Sequence, residues 1–294
     1  MELEKYGAVE YDVSLKTLTT LKVGGTAKAV LYPYSCEDLK KVIDYLKGEN
    51  IPYYVLGNGS NILASDDYYD GVIIKLGRFI NKLEQNDNCF YCEAGASLIA
   101  ISYKVSGLGY SGLEFASGIP GTIGGGVYMN AGAYKKSMAD IIKDVTFLDD
   151  NNNFVTLDNK DLEFAYRTSL FQKHNWIILS VNFCLEKDDP NEIMDLICKR
   201  KEYRLKTQPL NMPSFGSTFV NPLNNASWSL IDSLGYRGYQ IGDAQVSEKH
   251  CNFIVNMGQA KADDFYKIIT EIKEAVKDKY DIDMEVEPEF FNWK

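Results

Sequence analysis

The chain is predicted to be a mixed α/β protein, class α+β. Three observations predict it. Strand-like and helix-like segments alternate through the N-terminal part. Two glycine-rich stretches, Gly57 to Asn61 and Gly112 to Tyr134, follow such segments. The composition then turns loop-rich at TQPLNMPSFGSTFVNP, where Pro209, Pro213 and Pro222 punctuate the chain.

Ala27 to Tyr32 (AKAVLY) reads as a strand closed by Pro33. Ser35 opens a capping pattern with Asp38, and Leu39, Val42, Ile43 and Leu46 follow at helical spacing. Tyr53 to Leu56 is a second strand, and the GNGSN loop comes directly after it. Strand, helix, strand and glycine loop make a βαβ unit with an anion-binding loop. Val72 to Leu76 and Phe90 to Ala94 read as further strands, and Ser97 to Gly107 as a helix. Val145 to Leu148 and Phe154 to Leu157 read as a hairpin across DDNNN. Trp176 to Leu185 is a strand, and Asn191 to Leu205 a helix with a basic end. Beyond Thr207, Ser227 to Leu234 is a short helix and QVSEKHCNFIVN a strand. Ala262 to Tyr280 is an amphipathic helix with Phe265, Ile268, Ile269, Ile272 and Val276 on one stripe. DIDMEVEPEFF alternates carboxylates with apolar residues, as a strand does.

With 294 residues, 45% of them hydrophobic, the chain is long enough for one large or two medium domains with a real core. Its formal net charge of -10 argues against binding a nucleic-acid backbone. The start, MELEKYGAVEYD, lacks the basic and apolar regions of a signal peptide. No apolar run approaches the length of a membrane span, so a soluble, cytoplasmic protein is expected. Cys36, Cys89, Cys92, Cys184, Cys198 and Cys251 are expected to be reduced thiols. Cys89 and Cys92 form one CxxC, but on a strand they point to opposite faces. With His174 and His250 as the only histidines, no metal site is expected. His250 is expected to be a polar wall residue.

The second glycine stretch holds Ile119, Pro120, Ile123, Val127, Tyr128 and Met129 between its glycines. It is therefore expected to be a rigid, packed loop that offers backbone N–H groups to an anionic cofactor. The chain lacks the P-loop pattern GxxxxGK[ST]. It also lacks GxGxxG between a strand and a helix. A dinucleotide held between two loops on two subdomains is what remains.

Six ordered blocks sharpen this: LKVGGTAKAVLYP, LGNGSNILASD, GLEFASGIPGTIGGGVYMNAGAY, EFAYRTSLF, KTQPLNMPSFGSTFVNP and GDAQVSEKHCNFIVN. Together they resemble the UDP-N-acetylenolpyruvoylglucosamine reductase family, in its compact subclass without a substrate-covering tyrosine loop. The resemblance implies a two-subdomain FAD-binding domain of the vanillyl-alcohol-oxidase type, followed by a smaller α/β substrate-binding domain. The FAD-binding domain is expected over 1–205, with subdomains at about 1–76 and 77–205. The substrate-binding domain is expected over 206–285, and 286–294 is expected to return to the first. The implied reaction is NADPH-dependent reduction of UDP-N-acetylglucosamine enolpyruvate to UDP-N-acetylmuramate through bound FAD. Its partners are small molecules, and no nucleic acid, membrane or obligate protein partner is expected.

The resemblance also implies the site residues. Gly57, Asn58, Gly59, Ser60, Asn61, Ser117, Gly118, Ile119, Pro120, Gly121, Gly124 and Gly125 are expected at FAD. The cofactor is expected to be non-covalent, since neither loop offers His or Cys. Arg167 fits a fixed cation for the carboxylate of a developing enolate. Ser217 fits the proton donor. Among Glu285, Glu287 and Glu289, which share sign and face, the family's terminal glutamate block selects Glu287. Lys206 and Asn221 are expected at the diphosphate of the sugar nucleotide. The chain departs from the family at Val220, where Lys is usual, and at Pro288, where Val is usual. A different FAD oxidoreductase of this fold, acting on a small hydroxy acid or sugar, is the alternative. An oxidase would need a base and an oxygen channel instead of the Arg167, Ser217 and Glu287 set.

Overall fold

The computed structural model describes residues 2–293. The chain divides into two compact units, each discontinuous in sequence. Unit 1 takes the N-terminal segment up to Tyr11, Ala29–Asn58 and Gly71–Lys201. Unit 2 takes Asp12–Lys28, Gly59–Asp70 and the segment from Glu202 onward.

Unit 1 holds most of one sheet and the whole of a second. In the first the order is Gly7–Ser14, Thr26–Pro33, Tyr69–Ile74 and Tyr53–Val55, and the last two run parallel. The helix Cys36–Gly48 connects Thr26–Pro33 to Tyr53–Val55. Ser35 caps it by accepting from the Asp38 N–H at 3.1 Å, and Leu39, Val42, Ile43 and Leu46 are buried. The second sheet runs Phe154–Asp158, Ile142–Leu148, Ile177–Cys184, Cys89–Glu93 and Leu83–Asn86. It is antiparallel throughout. Ile177–Cys184 is its central strand, and its apolar residues join Phe90, Phe115, Phe147 and Phe171 in one core. The helix Leu98–Gly107, capped by Ser97, packs its Leu98, Ile101 and Val105 into that core.

Unit 2 has a separate core. The helix Ala262–Tyr280 buries the predicted stripe from Phe265 to Val276. That stripe packs with Phe215, Phe219, Leu230, Ile231 and the strands Ala244–Val246 and Ile254–Asn256. The C-terminal strand is shorter than the alternating carboxylates predict. Only Glu289–Phe291 is regular, parallel to Ile62–Ala64, and Val286 adds an isolated bridge to Phe219. Pro288 lies between them and lacks the N–H that a continuous ladder would need.

Two further expectations are corrected. The second glycine stretch is not loop throughout, because Ile123–Tyr128 forms a short helix despite three glycines. Thr122 caps it by accepting from the Gly125 N–H at 3.2 Å. The cysteines are not all reduced, because Cys89 and Cys184 are disulfide-bonded. They face each other on neighbouring strands, with Cα atoms 4.0 Å apart. Cys92, three residues on, is buried on the opposite face, where burial pushes its thiol up to about 12. Unfolded, unreduced protein should therefore show four reactive thiols, Cys36, Cys92, Cys198 and Cys251, in a thiol titration. Prior reduction should add two and lower the urea midpoint by the equivalent of about 2–4 kcal/mol.

Candidate active site

In unit 1 the two glycine stretches meet. The strand Tyr53–Val55 is followed by Leu56, whose N–H donates to the Ile74 carbonyl at 2.9 Å. The chain then turns at Gly57. A Cβ there would stand 2.8 Å from Thr122 Oγ1, so a side chain would force the loops apart. Asn58 Nδ2 closes the contact by donating to the Pro120 carbonyl at 2.6 Å.

The second stretch uses most of its donors internally. Ser117 donates from both Oγ (2.9 Å) and N–H (3.3 Å) to the Glu114 carbonyl. The Gly121 N–H goes to Ile119 and the Gly124 N–H to Ala94, each at 2.8 Å. A Cβ on Gly124 would lie 2.9 Å from the Ala94 Cβ. The expectation of bare N–H groups along this stretch is thus corrected at Ser117, Gly121 and Gly124, and at Gly124 the missing side chain serves close packing. Gly121 differs, since nothing lies within 4 Å of a Cβ placed there.

The first loop keeps its donors. The N–H groups of Asn58, Gly59 and Ser60 have no acceptor among the described residues. Gly59 is buried and sits at φ +66°, a left-handed conformation that favours glycine. Successive unaccepted donors suit an anionic oxygen, and so fit the diphosphate of FAD. Lys75 is a residue the sequence reading missed. It is half-buried and donates from Nζ to the Gly57 carbonyl at 2.6 Å. No ion pair to it is formed among the described residues. Burial alone lowers its ammonium from 10.5 to about 8. The available signal was a cation closing the apolar run VIIKL.

Arg167 also lies in unit 1, at φ +58° in a tight turn where Ala165 and Thr168 bridge. Its Nη2 donates to the Gly132 carbonyl at 3.0 Å, and its guanidinium lies 5.0 Å from the Tyr166 ring centre. This fixes the fork close to the end of the second glycine stretch.

Unit 2 brings Ser217, Glu287 and the end of the first loop together. The segment after Ser217 is bonded along both edges. On one edge, the Thr218 N–H donates to the Asn252 carbonyl at 2.8 Å. The buried Asn252 carboxamide then accepts from the Phe219 N–H (2.9 Å) and donates to the Phe219 carbonyl (2.8 Å). On the other edge, Val220 N–H donates to Glu285 and Glu287 N–H to Thr218, both at 3.0 Å. Glu287 is therefore paired with the residue next to Ser217, and both are half-buried, whereas Glu285 is exposed. Asn61 Nδ2 donates to the Glu287 carbonyl at 3.0 Å, and the Glu289 N–H to the Asn61 carbonyl at 3.0 Å. Thr20 donates from N–H to Gly59 (3.0 Å) and from Oγ1 to Ser214 (2.7 Å). Thr20 and Asn252 are the other residues the sequence reading missed. Thr20 lies just before the block LKVGGTAKAVLYP and Asn252 within GDAQVSEKHCNFIVN, but neither carries a chemical signature of its own.

Lys206 is exposed in the last turn of the helix Pro190–Thr207. Asn221 is exposed, and its Oδ1 accepts from the Ser227 N–H at 3.0 Å, at the start of the helix Ser227–Ser233. His250 is half-buried, 5.0 Å from the Phe253 ring, and burial holds its imidazole below the usual range.

The C-terminal domain model of UDP-N-acetylenolpyruvoylglucosamine reductase matches residues 208–291, and an FAD binding domain model matches 27–158. The reductase of Anoxybacillus flavithermus is 39% identical over 289 residues, covering 98% of this chain and 96% of that protein. The chain belongs to the UDP-N-acetylenolpyruvoylglucosamine reductase family. The Bacillus subtilis reductase is likewise 39% identical, over 96% of this chain and 94% of its own length. The crystal structure of the Thermus caldophilus reductase superposes with a TM-score of 0.85 at 34% identity, over 97% of this chain and all of that one. The mixed α+β architecture with an FAD-binding domain is that of the family. No helix among the described residues is long and apolar enough to cross a membrane.

Two outcomes test this geometry. Gly59→Ala would set a Cβ 2.2 Å from the Leu18 carbonyl oxygen at a left-handed φ. It should cost about 2 kcal/mol or more in urea unfolding, whereas Gly121→Ala should stay within about 0.5 kcal/mol. FAD-free Lys75→Met should be more stable than the parent at neutral pH. The fall from 10.5 to about 8 corresponds to ~3 kcal/mol. Between those values the unfolded chain binds a proton that the folded chain has lost, so the parent's stability rises with pH there. The gap between the two proteins should therefore close as pH rises through that window.

Proposed function

We propose that the protein catalyses the NADPH-dependent reduction of UDP-N-acetylglucosamine enolpyruvate to UDP-N-acetylmuramate, a step of peptidoglycan precursor synthesis, with FAD as its non-covalent cofactor. When bound, FAD would supply the hydride chemistry that links NADPH to the vinyl carbon of the substrate. The first glycine loop would hold the cofactor through the N–H groups of Asn58, Gly59 and Ser60, and Asn61 would fix the end of that loop. The Ser117 to Gly125 stretch would give the flavin a side-chain-free wall.

The pairing of the Ser217 segment with the Glu287 segment is the observation that carries this reading. Hydride addition to an enolpyruvyl group leaves negative charge on the neighbouring carbon and its carboxylate. The Arg167 fork, held by the Gly132 carbonyl, meets the carboxylate with two parallel N–H donors. Ser217 delivers the proton to the carbon. Serine is a weak acid, so this needs a strongly basic enolate and a fixed hydroxyl. Its neighbours Thr218 and Phe219, bonded on both edges, supply that rigidity. Glu287, one backbone hydrogen bond away from that segment, assists the protonation. Lys206 and Asn221 meet the sugar-nucleotide diphosphate, and residues 206–285 form the substrate-binding domain. Such nucleotide substrates place the reaction in the cytoplasm.

Purified protein should be yellow and should release flavin on acid treatment. Ser217→Ala should leave NADPH reduction of the flavin nearly intact in stopped-flow absorbance. It should slow anaerobic reoxidation by the enolpyruvyl nucleotide by about 10²-fold or more. Equal damage to both half-reactions would remove Ser217 from the proton-donor role.

A further inference from the structure

An ammonium group has three donors. Lys75 spends one on the Gly57 carbonyl at 2.6 Å and forms no ion pair among the described residues. A buried charge without a counter-charge is costly in a folded protein. No other ionisable side chain acts on it, since burial is the sole cause of its lowered basicity. The cost falls at one particular place. Gly57 is the residue whose missing side chain admits Thr122, and the next residue, Asn58, has a backbone N–H without an acceptor and a side chain bonded to Pro120. A neutral donor would satisfy the Gly57 carbonyl at less cost, so the ammonium points to an anion that arrives from outside the chain.

We propose that Lys75 is a cofactor-binding residue whose ammonium meets an anionic oxygen of the FAD diphosphate beside Gly57. The proposal rests on the reading of this protein as an FAD enzyme. A bound diphosphate restores the charged form of the lysine. Binding at alkaline pH then takes up a proton, and affinity falls once the free protein has lost that proton.

The test is release of FAD from the full-length holoprotein on dilution, followed by recovery of FAD fluorescence, for the parent and Lys75→Met. The variant should release FAD with a dissociation constant raised about tenfold or more. The parent's affinity should weaken from about pH 7 to about pH 9.5, and the variant's should stay flat over that range. Parent-like retention by Lys75→Met overturns the proposal while leaving the FAD reading intact. A parent that holds no FAD at all sinks the FAD reading itself. Should circular dichroism show that Lys75→Met does not fold, calorimetry on the parent decides. Binding heats at about pH 9 in buffers of different ionisation enthalpy should reveal proton uptake, and their absence overturns the proposal.

Discussion

Close approach of backbone to backbone, at positions without a side chain, is the constraint on which the candidate site depends. In unit 1 the Gly57 turn reaches Thr122 only because no Cβ intervenes. In unit 2 the Gly59 backbone lies against the Leu18 carbonyl for the same reason, and Thr20 then bonds Gly59 and Ser214 together. A bulkier residue at either place would move the donors that follow it. Donors aimed at charge are effective only when held in place beforehand. The same loop that admits these contacts leaves three N–H groups without acceptors among the described residues, so rigidity and binding capacity come from one source.

The residues proposed for acid–base chemistry are held differently. Ser217 is not buried under packing but carried by a neighbouring segment whose donors and acceptors are bonded along both edges. Asn252 is central because a carboxamide both donates and accepts. A carboxylate of the same shape would keep one of its two bonds to Phe219 and lose the other. Glu287 reaches the same segment through main-chain atoms, so its position survives the interruption at Pro288. The two departures from the family thus have different weight. Pro288 falls in a gap between the Val286 bridge and the strand Glu289–Phe291, where no ladder bond is needed. Nothing in the structure explains Val220.

Much of the fold was legible in the sequence because its signals are local. Ser35 and Ser97 cap the helices that follow them, and the Phe265 to Val276 stripe is buried as its spacing indicates. Register was not legible. Whether Cys89 faces Cys184 depends on which strands neighbour each other across 95 residues, and strand periodicity is silent on that. The partners of Ser217 and Glu287 were likewise hidden, since Asn252 and Thr20 act through shape and backbone bonds rather than reactive groups. Lys75 escaped because a lysine at the end of an apolar strand reads as a solvent-seeking terminus. The glycines of the second stretch were legible as glycines. Their division into packing positions, such as Gly124, and an open one, Gly121, is set by tertiary neighbours distant in sequence.

The Cys89–Cys184 bond has a topological consequence. It closes the intervening chain into a covalent ring, and that ring contains both the second glycine stretch and Arg167. A peptide bond cut anywhere inside it opens the ring without dividing the molecule. The fragments remain tethered at the central strand of the sheet, so a clipped protein keeps the second glycine stretch and the Arg167 turn on a single connected piece.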